Sequence, residues 1–142
     1  MTQANLLQER RRWTPEGFKA FWHKPREPWR VLEAVTDDVI GYWPRPIGVV
    51  RGARDYVQVI VTLLEVCPDF ALEVPEVATS GDLTFVRWIA HGTGPSGAFR
   101  FNGCDRVRLR DGVVCENYVF CDDPFFGLVA DRLNRPCSRS GS

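Results

Sequence analysis

The stretch from 98 to 121, AFRFNGCDRVRLRDGVVCENYVFC, decides the fold. At its centre Asp111-Gly112 is the dipeptide best suited to a two-residue β-turn, and apolar and polar residues alternate on both sides of it. A turn there sets Arg110 opposite Val113. A regular ladder then pairs Leu109 with Val114, Val107 with Glu116, Asp105 with Tyr118, Gly103 with Phe120 and Phe101 with Asp122. One face of this hairpin is apolar. The other carries Arg100, Asn102, Arg106, Arg108 and Arg110 beside Val113, Cys115, Asn117 and Val119.

Just upstream, Gly94-Pro95-Ser96-Gly97 turns a second hairpin with Thr93 opposite Ala98, which places Val86 beside Asp105, Trp88 beside Gly103 and Ala90 beside Phe101. Strands are expected over 70–78, 83–93, 98–110 and 113–121. Before them the pattern is helical. Thr14-Pro15-Glu16 supplies a hydroxyl cap, a proline at the first helical position and an acid at the positive end of the dipole, ahead of Phe18, Phe21 and Trp22. Pro25 and Pro28 end that helix, and a second short one runs through Trp29, Leu32, Glu33 and Val35. Val39 to Trp43 reads as an edge strand stopped by Pro44 and Pro46. Ala53, Val57, Ile60, Val61 and Leu64 then mark a third helix that ends at Cys67-Pro68-Asp69. Helices first and a meander after them predict an α+β fold, with three N-terminal helices on one face of an antiparallel sheet.

The chain of 142 residues is near the usual size of one domain. The expected organisation is a polar lead over 1–13, a domain over 14–130 and a frayed tail over 131–142. Lysine plus arginine and aspartate plus glutamate number 18 each, so there is no global field for nucleic acid. The stripe Arg87, Arg100, Arg106, Arg108 and Arg110 could meet phosphates, but few aromatics accompany it for base stacking; salt bridges are the expected use. Cys67, Cys104, Cys115, Cys121 and Cys137 are odd in number and lack zinc spacing, so neither a metal site nor a disulfide framework is expected. Neither a secretory signal nor a membrane-length apolar run is read, and the expected location is the cytoplasm.

Asp105 is the most informative residue. The register sets it among Val86, Trp88, Phe101 and Phe120, where an ionised carboxyl loses hydration and its pKa rises unless a donor satisfies it; Tyr118 is the expected donor. Two readings stay open: a hydrogen-bonded core acid, or an acid–base group on the floor of a pocket. Asp122, near the strand end, is a second carboxylate of either capping or catalytic use. His91 falls opposite Arg100 on the basic face, away from Asp105, and His23 ends a helix. No G-x-S-x-G elbow and no glycine-rich phosphate loop occurs, so no cofactor is implied.

Val50-Arg51-Gly52, Phe85-Val86-Arg87-Trp88 through Gly92-Thr93, and Asp105 to Val114 followed by Glu116 and Asp122 together resemble SnoaL-like domains of the nuclear transport factor 2-like superfamily, over residues 14–130. The resemblance implies a strongly curved sheet forming a cone around an apolar pocket, and a homodimer through sheet surfaces. It implies activities ranging from polyketide cyclisation and ketosteroid isomerisation to epoxide hydrolysis, alongside members that only bind ligands or partners. Asp105 falls where ketosteroid isomerases carry a protonated oxyanion-hole aspartate. Trp43, before Pro44, stands where their basic aspartate would be, and Phe18, Phe21 and Trp22 offer no tyrosine on the first helix, so steroid isomerisation is not expected. Gly92-Thr93 is followed by Gly94 where relatives often carry histidine, a departure from the cyclases. The resulting expectation is a cyclase, isomerase or lyase acting on a hydrophobic carbonyl compound, with Asp105, Tyr118 and Asp122 as catalytic groups. Trp22, Trp43, Trp88, Phe101 and Phe120 would line the substrate. A ligand-binding or interaction domain without catalysis is the alternative.

Overall fold

A computed structural model describes residues 12–135. Helix α1 spans Pro15–His23, and the Thr14 hydroxyl caps it by accepting the Gly17 N–H at 2.9 Å. A 3-10 helix covers Pro28–Ala34 and leads directly into strand β1, Val35–Trp43. Strand β2, Gly48–Arg51, is followed by helix α2, Ala53–Val66. Strands β3 (Ala71–Ser80), β4 (Leu83–Gly94), β5 (Gly97–Arg110) and β6 (Val113–Phe120) form the meander, and helix α3 (Phe125–Asn134) closes the described chain.

The α+β class holds, with corrections to its detail. The six strands lie in the order β2-β1-β6-β5-β4-β3 as one open sheet with β2 and β3 at its edges. The sheet is mixed and not wholly antiparallel, because β1 runs parallel to β6. The segment expected at the edge is therefore interior, and the true edge is the short β2 paired antiparallel to β1. The helix expected through Trp29 to Val35 is a 3-10 turn that stops at Ala34. A further helix follows the meander: α3 buries Phe125, Phe126, Val129 and Ala130. Most of the lead over 1–13, the end of the tail and Cys137 lie outside the described residues.

The β4–β5 register is the expected one: Val86 opposes Asp105, Trp88 opposes Gly103, Ala90 opposes Phe101 and Thr93 opposes Ala98. The β5–β6 ladder begins as expected, with Arg110 opposite Val113 and Leu109 opposite Val114, and then a bulge intervenes. Cys115 has no partner of its own, so Arg108 opposes Glu116, Val107 opposes Asn117, Arg106 opposes Tyr118 and Asp105 opposes Val119. Every residue after the bulge changes face. In a regular ladder Glu116 would enter the apolar core and Val119 would face out, a loss of several kcal/mol for an unpaired buried charge. With the bulge, Glu116 lies on the outer face and pairs with Arg106 and Arg108, while Asn117 and Val119 turn inward and are buried.

Helices and sheet meet over a core that includes Val39, Val57, Leu63, Val86, Val107 and Val129. On the outer face the arginines are paired: Arg87 with Glu76, Arg100 with Glu73, Arg108 with Asp82 and Arg110 with Asp38. His91 also points outward, 3.7 Å from Glu73. Among the described residues, no helix is long and apolar enough to cross a membrane.

Candidate functional site

Between the inner sheet face and the helices lies a cavity of about 290 Å³, at the lower end of the range of small-molecule sites. Aromatic walls dominate it: Phe18, Phe21 and Trp22 from α1, Tyr56 from α2, Trp43 from β1 and Trp88 from β4. The inner face of β5 and β6 supplies two polar side chains, Asp105 and Asn117.

Asp105 is 7% exposed. Its Oδ1 accepts the indole N–H of Trp88 at 2.9 Å, and its Oδ2 accepts the Asn117 amide Nδ2 at 3.0 Å. The second Nδ2 proton goes to the Tyr56 hydroxyl oxygen at 2.8 Å. Trp88 can reach the carboxyl because its strand partner is Gly103. A Cβ there would stand 2.2 Å from the indole Cη2, so the missing side chain lets the ring lie flat over the backbone towards Asp105.

Burial pushes the Asp105 carboxyl up to about 6, with the Asn117 and Trp88 hydrogen bonds holding back a larger rise. A group with this value exchanges a proton near neutral pH, as a general acid or base must. Tyr56 behaves differently. Burial, reinforced by the neighbouring Asp105 charge, pushes its hydroxyl well up, so it stays protonated and is a donor. That proton finds no protein acceptor among the described residues. Of the four buried side-chain atoms without a partner among the described residues, two belong to residues of this cavity, the Asn117 Oδ1 acceptor and the Trp43 Nε1 donor.

The structure separates the expected site residues into two groups. Asp105, Trp22, Trp43 and Trp88 line the cavity. Tyr118 does not meet Asp105. The bulge places it on the outer face, 39% exposed, stacked between Tyr42 and Phe120 with the Arg106 guanidinium over its ring. Asn117 and Trp88 take the donor role assigned to it. Phe120 follows Tyr118 outward and is 48% exposed. Asp122 is exposed beyond the end of β6. Phe101 is buried, but its ring packs on Trp88, Phe125 and Phe126 behind the cavity wall. Sequence reasoning missed Tyr56 and Asn117. Tyr56 shares a face of α2 with Ile60 and Leu63, and that spacing alone marks an inward-facing phenol.

Comparison with known proteins agrees with this architecture. Three solved structures with similar folds have low sequence identity. A proposed SnoaL-like polyketide cyclase from Jannaschia sp. CCS1 has a TM-score of 0.66 and 18% identity, over 87% of this chain and 98% of the other. IdmH, a proposed polyketide cyclase from Streptomyces antibioticus, has a TM-score of 0.64 and 20% identity, over 84% and 95%. A hypothetical protein with a ketosteroid isomerase-like fold from Catenulispora acidiphila, solved with trimethylamine, has a TM-score of 0.68 and 14% identity, over 78% and 88%. At these identities the likeness establishes the fold alone. No curated protein gives a significant match. The family model for the SnoaL-like domain matches residues 17–117, which contain the 3-10 helix, the β4–β5 hairpin, Asp105 and Asn117. The chain belongs to the SnoaL-like domain family.

Proposed function

We propose that this protein is a cofactor-independent enzyme of the cyclase, isomerase or lyase type, in which Asp105 moves a proton on a hydrophobic carbonyl compound held in the aromatic cavity. One observation carries this reading: a buried carboxyl with a pKa near 6 stands in the cavity wall, oriented through both oxygens by Trp88 and Asn117. Tyr56 supports it as a protonated donor beside the same amide, able to stabilise negative charge that develops on a ligand oxygen. A panel of aromatic ketones and polyketide mimics, assayed with wild type and Asp105→Asn, tests the proposal. Turnover by wild type and its loss in the variant, with binding kept, supports it. Binding without turnover anywhere in the panel sinks it in favour of a ligand-binding domain. That second reading draws on the same two hydrogen bonds, since Trp88 and Asn117 would also satisfy a purely structural acid.

The outer sheet face suits a second copy of the chain. Tyr42 stacks on Tyr118 at 5.0 Å and Tyr118 on Phe120 at 4.5 Å, and Val49, 53% exposed, extends the strip. Beside it lie both arginines and acids, so two copies related by a two-fold axis can present opposite charges to one another. The expected result is a dimer in sedimentation equilibrium at tens of micromolar protein and a monomer for Phe120→Asp. A monomeric wild type would remove this contact from the account.

A further inference from the structure

Asp105 is a buried carboxyl without a counter-ion. Its two hydrogen-bond partners, the Trp88 indole and the Asn117 amide, are neutral, and among the described residues no lysine, arginine or histidine forms an ion pair with it. The arginines of the sheet stand on the other face with acids of their own. Buried charges in proteins are ordinarily paired, so an ionised Asp105 leaves negative charge in the cavity wall that nothing among the described residues neutralises.

The surroundings of that charge are aromatic. Trp88 meets it directly through the indole N–H at 2.9 Å. Asn117 links it to the Tyr56 hydroxyl at 2.8 Å, and the Tyr56 ring lies 5.4 Å from that of Trp43. Trp22, flanked by Phe18 and Phe21, adds a further wall from α1. Aromatic faces carry negative potential, and that of tryptophan attracts a cation most strongly. Two arginines also reach the cavity, but Arg12 and Arg30 are both exposed, where water and salt screen them, and Arg30 pairs with Glu27 and Glu33.

We infer that the cavity binds an alkylated ammonium ion, held by the rings of Trp22, Trp43, Tyr56 and Trp88 with the Asp105 carboxylate as its counter-ion. A quaternary ammonium has no N–H to donate, so it draws on the field of the carboxylate and leaves the two hydrogen-bonded oxygens undisturbed. Its methyl groups spread the charge over an apolar surface, which suits a wall of aromatic rings and lowers the cost of leaving water. This ligand class goes beyond the carbonyl compounds proposed above and does not depend on proton transfer by Asp105.

NMR titration of the ¹⁵N-labelled full chain at pH 8, where Asp105 is ionised, tests this with choline and its neutral isostere 3,3-dimethylbutan-1-ol. The two molecules share their shape and hydroxyl and differ in the charge alone. The expected result is about tenfold tighter binding of choline, with the indole N–H resonances of Trp43 and Trp88 shifting as it binds. In Asp105→Asn the affinity for choline is expected to fall about tenfold while that for the neutral alcohol stays the same. Choline binding no tighter than the alcohol, or no binding of either, would overturn the proposal. A preference for choline that is unchanged in Asp105→Asn would overturn it too, since the carboxylate would then not be the counter-ion. So would a preference that leaves both indole resonances unmoved, which would put the ion elsewhere on the surface. Should Asp105→Asn fail to fold, the wild-type ratio and the indole shifts decide the matter by themselves.

Discussion

Asp105→Asn is expected to lower kcat by ~10²- to 10⁴-fold, the range over which a positioned acid or base contributes, with ligand affinity changed little. The same substitution is expected to leave the fold at least as stable at pH 8. The sign follows from linkage. The folded-state pKa of about 6 lies above the ordinary value of 3.8, so the native chain holds the proton more tightly than the unfolded chain. The stability this gives is fully present below about pH 4, declines as pH rises and is gone once pH passes about 6. Above that, the ionised carboxyl costs on the order of 3 kcal/mol relative to its protonated form. An amide carries no such cost, and Asn117 can turn its own amide to meet the new donor. Loss of turnover together with a flattened pH–stability curve in urea unfolding separates a proton-transferring Asp105 from a structural one. A variant that unfolds at pH 8 while wild type stands would mark Asp105 as a support of the core.

Trp88→Ala is expected to have the largest effect on stability. Trp88 is 3% exposed, and removal of a buried tryptophan side chain costs ~3–5 kcal/mol. Two local consequences add to that. The ring covers the bare backbone of Gly103, so its loss opens a void there, and Asp105 Oδ1 loses its donor. A drop of about 10 °C or more in the thermal midpoint is expected at this chain length. Trp88→Phe isolates the hydrogen bond from the ring: it should cost distinctly less, yet raise the Asp105 pKa further, because a bond that favours the charged form is gone. Equal thermal midpoints for wild type and Trp88→Ala would show that the indole does not pack as described.

The sequence disclosed local pairing well and distant pairing poorly. Asp111-Gly112 and the Gly94 to Gly97 turn specify backbone conformations that few other residues adopt, so the β4–β5 register and the start of β5–β6 were legible. The parallel contact between β1 and β6 joins strands about seventy residues apart, and no local pattern encodes it. The bulge at Cys115 left a fainter trace. Val113 and Val114 are both buried, which breaks the alternation, and Glu116 finds arginine partners only if the ladder slips by one. Weighing that charge against the regular ladder would have turned Tyr118 outward and Asn117 inward. Asp105 itself was legible because it lies before the bulge. Its true partners were not, because one lies after the bulge and another, Trp88, reaches it only across a glycine.

Selective ¹³C labelling of aspartate allows the protonation of Asp105 to be followed directly, through its carboxyl resonance, by NMR titration. The expected result is a midpoint near pH 6 in wild type, moving higher in Trp88→Phe. A midpoint at or below about 4, the range of an ordinary exposed aspartate, would contradict a buried, proton-exchanging group in the cavity wall.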